Sequence, residues 1–166
     1  MDGPATAVTL DVVLEERYWY PDDGGAVWVA GFQPVGADGR FLARDAPELA
    51  ARDVRVVNVA GAGRHHAGVL DDAAFAPGRP LTLHREPANE HDPNAISVRD
   101  AAGDRQAGWV PRETASELAP RLDAGERWSA IVLRERRPTP RDPRSGLVAL
   151  LAPAARIELR ELRRRP

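Results

Sequence analysis

The chain has 166 residues, 43% of them hydrophobic and 29% charged, which is enough for one domain with its own core. It contains no cysteine, which excludes disulfides, thiol nucleophiles and Cys-rich zinc sites and fits a cytoplasmic protein. The net charge of −2 hides an asymmetry: residues 1–50 carry 9 acids and 3 bases, residues 127–166 carry 11 bases and 4 acids, and all 23 basic residues are arginine.

The opening segment mixes Asp2, Asp11, Glu15 and Glu16 into its apolar residues, so neither a signal peptide nor a membrane span is expected. From there the apolar period is mostly two, the spacing of strands. Val8, Leu10, Val12 and Leu14 alternate with more polar neighbours. "PDDGG" (21–25) is a turn, and "AVWVAGF" returns, so 7–34 reads as a hairpin. "DAPELAA" (45–51) is at most a short helix. "DVRVVNVAG" (53–61) carries valines on both faces, as a buried strand does.

Further strands are expected at 79–86, 94–99 and 105–110, with a turn at 100–104. "PRETASELAPRL" then changes period. Pro111 suits a helix start, and Ala115, Leu118, Ala119 and Leu122 fall on one helical face. Pro120 should shorten or kink that helix. Strands return at 127–137, 146–152 and 156–162, separated by the Pro-rich loop 137–146. One helix among about eight strands points to a mainly β fold, a small and partly open barrel. Such a barrel is filled by its own side chains, so a ligand must sit on the rim or in the loops.

Three segments carry a resemblance. A Val-rich strand runs into "GAGRHHAG". "LHREPANEHDPNAI" has the form Leu-x-Arg-x-Pro-x-Asn-x-x-Asp-x-Asn-Ala-Ile. "GWVPR" leads into the helix. Together they resemble the HIRAN domain family, strongly over about 54–125. The resemblance implies a six-stranded OB-like or SH3-like barrel with one short helix. On that basis residues 51–162 would be the barrel domain, 1–50 an acidic β-hairpin extension packing on it, and 163–166 a basic tail. It also implies function: a member fused to a helicase-like ATPase captures the 3′ end of single-stranded DNA.

Carried over residue by residue, Asn89 and Asp92 would hold the terminal nucleotide. An ionised Asp only accepts hydrogen bonds, so it selects a free 3′-hydroxyl, which donates, and repels a 3′-phosphate. Arg64 and Arg112 match phosphate-binding positions, with the helix N-terminus reinforcing Arg112. His65 and His66 stand where the family has an aromatic pair that stacks on bases. His91 replaces a tyrosine and would cap the terminal base, and Trp109 is a stacking platform or core. Each residue also has a plainer reading. Asp92-Pro93-Asn94 is good turn chemistry, and Arg85, on the face of Leu81 and Leu83, would be structural and need a carboxylate partner.

No phosphate loop, nucleophile elbow or metal-binding helix spacing is present, so no catalytic residue, metal or cofactor is expected. The leading expectation is a non-enzymatic DNA-end binder in repair, replication or defence, partnered by a helicase, nuclease or other repair protein. Two rivals stand beside it. One is a protein-interaction module using the Tyr18, Trp19, Tyr20, Trp28 and Phe32 cluster. The other is a metal-dependent nuclease using the histidines between 65 and 91.

Overall fold

The segments that alternate in sequence form strands, and their order follows that reading closely. The computed structural model describes residues 10–19, 29–65, 68–136 and 146–161, except the side chains of residues 18, 19, 29, 30, 63, 65 and 136. β1 (Asp11–Trp19) and β2 (Val29–Pro34) form the expected antiparallel hairpin. α1 (Pro47–Ala51), β3 (Arg55–Asn58) and α2 (Ala62–His65) follow, then two 3-10 turns at Val69–Asp71 and Ala73–Phe75. Next come β4 (Pro80–Arg85), β5 (Ile96–Asp100), β6 (Gln106–Trp109) and α3 (Arg112–Asp123). β7 (Trp128–Arg136), β8 (Gly146–Pro153) and β9 (Arg156–Arg160) complete the series. None of the described helices is long and apolar enough to cross a membrane.

The fold is mainly β. Six strands pair in the series β3-β8-β7-β4-β5-β6. Its two ends meet at one isolated antiparallel bridge between Ala60 and Trp109. The barrel expected from the sequence is therefore not closed by a continuous ladder. Gly108 makes even that single bridge possible. A Cβ there would lie 2.2 Å from the Ala60 carbonyl oxygen and 3.0 Å from Val59 Cγ1, so only glycine lets the two chain segments meet.

β8, "GLVALLAP", has no polar residue because it walls two cores. Leu147, Ala149 and Leu151 face the barrel interior with Val57, Phe75, Leu81, Ile96, Val98, Leu118 and Val132. Val148, Leu150 and Ala152 face a second cluster built with Val12, Leu14, Leu49, Val54, Ile131 and Leu133. Period-two projection sends alternate residues to opposite faces, and here both faces are dry. The hairpin closes the second cluster: β2 pairs with β7 at Gly31↔Arg134, and β1 runs parallel to β9. Phe32 packs against this cluster, while Tyr20, Trp28 and the side chains of Tyr18 and Trp19 lie outside the described residues.

Pro120 does not stop α3, which continues to Asp123. A proline forfeits one amide donor. The next turn still closes through the Ala124 amide to the Pro120 carbonyl, and Leu118 and Ala119 hold the helix on the barrel core.

Candidate functional site

The segment Glu86–Ala95 between β4 and β5 is polar, yet its backbone is largely held by local bonds. The Glu86 amide donates to the Ala95 carbonyl, the Asn89 amide to that of Glu86 and the Ala95 amide to that of Asp92. Asn89 Oδ1 accepts from the amides of His91 and Asp92 at 2.9 and 3.1 Å. Asp92 Oδ1 accepts from the Asn94 amide at 2.9 Å, the Asx turn that Asp-Pro-Asn favours. These side-chain contacts span two or three residues, so the loop's shape is written into its own sequence.

Arg85 bolts the loop down from outside. Its Nε and Nη2 donate to the two carboxylate oxygens of Asp123 at the end of α3, at 2.9 and 3.2 Å. Nη1 and Nη2 also donate to the carbonyls of Ala95 and Pro93 at 2.9 and 3.0 Å. The carboxylate partner expected for this arginine is therefore present, and the fork ties strand, loop and helix together. The pairing holds the Asp123 carboxyl below its ordinary range.

Beside the loop is an open cleft of about 300 Å³, lined by Ala60, Asn89, His91, Asp92, Ala95, Trp109, Val110 and Arg112. Its lining surface is mostly apolar. Trp109 is aimed by a bond from Nε1 to Glu86 Oε1 at 2.6 Å, and its ring lies 3.4 Å from where a Cβ on Gly61 would stand. Asp92 is 18% exposed, and its outer oxygen Oδ2 is 3.8 Å from Arg112 Nε, too far for a hydrogen bond. One oxygen thus builds the turn and the other lies beside Arg112, in a residue that lines the cleft. Arg112 is the first residue of α3 and 81% exposed.

The family model for the HIRAN domain matches residues 54–142, more than half of the chain. The chain belongs to the HIRAN domain family. Two solved structures are similar to it. The crystal structure of the HIRAN domain of human HLTF is 20% identical, with a TM-score of 0.45, over 60% of this chain and 74% of that one. A protein from Lactobacillus plantarum is 24% identical, with a TM-score of 0.45, over 59% of this chain and 91% of that one. No curated protein matches the chain.

In this HIRAN domain the cleft gathers five of the eight residues singled out in the sequence: Asn89, His91, Asp92, Trp109 and Arg112. Arg64 is exposed on α2, which packs near β6, but it does not line the cleft. His65 lies on that helix rather than on a strand, its side chain outside the described residues, and His66 is outside them altogether. Among the described residues no cluster of three or more metal-ligating side chains occurs. Sequence reasoning missed Glu86, which orients Trp109, and Gly108, which brings Ala60 to the rim. The only signal for either was a Gly directly before the Trp and an acid directly after Arg85.

Proposed function

We propose that this HIRAN domain binds single-stranded DNA by its 3′-terminal nucleotide, reading the free hydroxyl with Asp92. One observation carries the reading: Asp92 lines a mostly apolar cleft, with Oδ1 spent on the Asn94 amide and Oδ2 3.8 Å from Arg112 Nε, beyond hydrogen-bond distance. An ionised carboxylate accepts and never donates. A free 3′-hydroxyl offers it a proton, an internal 3′ oxygen is esterified and offers none, and a 3′-phosphate brings like charge. Trp109 supplies the flat apolar wall on which the terminal base or sugar rests, and base–aromatic stacking contributes about 1–3 kcal/mol. Arg112, beside Asp92, takes the penultimate phosphate. His91 covers the open side, and Arg64, with His65 and His66, extends the track along the strand.

The domain does no chemistry in this reading. It positions a DNA end for a separate motor or nuclease acting on repair or replication intermediates, or on foreign DNA. The test is a fluorescence-anisotropy titration of one short oligonucleotide with a 3′-hydroxyl, with a 3′-phosphate, and in circular form. The hydroxyl form should bind tightest, and equal affinity for all three would remove the reading.

A further inference from the structure

The acceptors around the cleft are few, and most are already used. Asn89 Oδ1 takes the amides of His91 and Asp92 at 2.9 and 3.1 Å, which fills both of its lone pairs. The Ala95 carbonyl takes the Glu86 amide and Arg85 Nη1, each at 2.9 Å. Ala60 and Trp109 exchange their backbone bonds across the seam at 2.7 and 2.9 Å. Arg112 and the Trp109 indole only donate. Among the side chains that line the cleft, the acceptors without an amide on them are Asp92 Oδ2 and the His91 ring.

A nucleic-acid 3′ end comes in two chemical forms. A deoxyribose terminus carries one hydroxyl. A ribose terminus carries two, on adjacent carbons, each with a proton to place. A free carboxylate takes such a pair with one oxygen for each hydroxyl. Asp92 has no second oxygen to give, because Oδ1 closes the turn on the Asn94 amide at 2.9 Å and the side chain is only 18% exposed. His91 is exposed, so water competes for its ring and a bond to it brings little gain. The other walls include Ala60, Ala95, Trp109 and Val110. A hydroxyl pressed against them loses its water and finds no acceptor in exchange.

We propose that the cleft rejects a 3′-terminal ribonucleotide, so that the domain captures deoxyribose ends and passes over RNA ends. The inference rests on the reading of Asp92 given above and deepens it. The turn that makes the loop rigid also occupies one carboxylate oxygen, and this leaves Asp92 a reader of one hydroxyl rather than of a vicinal pair. The rejected class includes a DNA strand that ends in a single ribonucleotide. A ribonucleotide one step inside the end lies beyond the carboxylate and is tolerated.

Fluorescence anisotropy of the native full chain tests this with one short DNA oligonucleotide in several forms. The terminal sugar is deoxyribose, ribose or 2′-fluorodeoxyribose; a further form carries a deoxyribose 3′-phosphate, and another a ribonucleotide at the penultimate position only. The 2′-fluoro group is close to a hydroxyl in size but has no proton to place. The ribose form should bind about fivefold more weakly than the deoxyribose form. The fluoro and penultimate-ribose forms should bind like deoxyribose. A ribose end that binds as tightly as deoxyribose, a fluoro end as weak as the ribose one, or an equal penalty at the penultimate position overturns the proposal. In each of those cases a deoxyribose hydroxyl still preferred over its 3′-phosphate leaves the reading of Asp92 standing. Equal binding of the deoxyribose and 3′-phosphate forms removes that reading and this inference with it.

Discussion

Replacing Asp92 by asparagine isolates the one oxygen on which end recognition rests. The amide oxygen of the new side chain still accepts from the Asn94 amide, so the turn closed at 2.9 Å survives. What changes is the other end of the carboxylate: a charged acceptor becomes a neutral donor. A hydrogen bond to a charged group contributes about 1.5–3 kcal/mol. Asp92 is 18% exposed and Arg112 already offsets part of its charge at 3.8 Å, so the lower half of that range applies. The expected loss for a 3′-hydroxyl oligonucleotide is therefore roughly 10- to 50-fold in Kd. The 3′-phosphate form should move the other way and bind more tightly than it does to the native protein, because the repelling charge is gone. Anisotropy titrations of both forms read the two shifts, and a melting curve checks that the fold is kept. An Asp92→Asn variant that melts like the native chain and still prefers the hydroxyl form by the same factor would refute the argument.

Salt provides an independent measure: with two or three phosphates engaged, log K should fall with log salt at a slope of roughly −1.4 to −2, and Arg112→Gln should flatten it by about 0.7. Gly108→Ala forces a Cβ to 2.2 Å from the Ala60 oxygen and opens a seam closed by two backbone bonds of 2.7 and 2.9 Å. Two lost bonds and the overpacking together should cost about 3–5 kcal/mol in urea unfolding. Arg85→Leu leaves every cleft residue in place but frees the loop from α3; DNA affinity should fall several-fold, and Asp123→Asn should reproduce that fall, the double variant adding little more. Because Arg85 lowers the Asp123 carboxyl, the clamp is intact above the ordinary carboxylate range and is lost as pH falls through the lowered value. Binding should therefore outlast mild acidification in the native protein, and a loss of affinity beginning near neutrality would contradict the clamp.

The loop that forms the cleft wall was legible because its bonds are local. Asn89 and Asp92 close turns to residues two or three positions on, and proline at 93 sets the backbone, so composition alone announces a rigid polar turn. The strands were legible for a similar reason, since period two is a property of neighbours. Pro120 was expected to shorten or kink its helix; α3 runs past it to Asp123, with Leu118 and Ala119 buried against the barrel.

Left to itself, the sequence determined the mainly β character, the hairpin at the start, and a stiff loop presenting an acid between two strands. Only the tertiary structure decided what that acid faces. The Arg85–Asp123 clamp joins residues 38 apart, and Trp109 meets Glu86 across 23. The Gly108 seam and the two dry faces of β8 likewise depend on strand order. Such pairings follow from which strands lie side by side, and no local period encodes that. Sheet order is chosen by burying every apolar face at once, so the cleft exists only where β4, β5, β6 and α3 have come together.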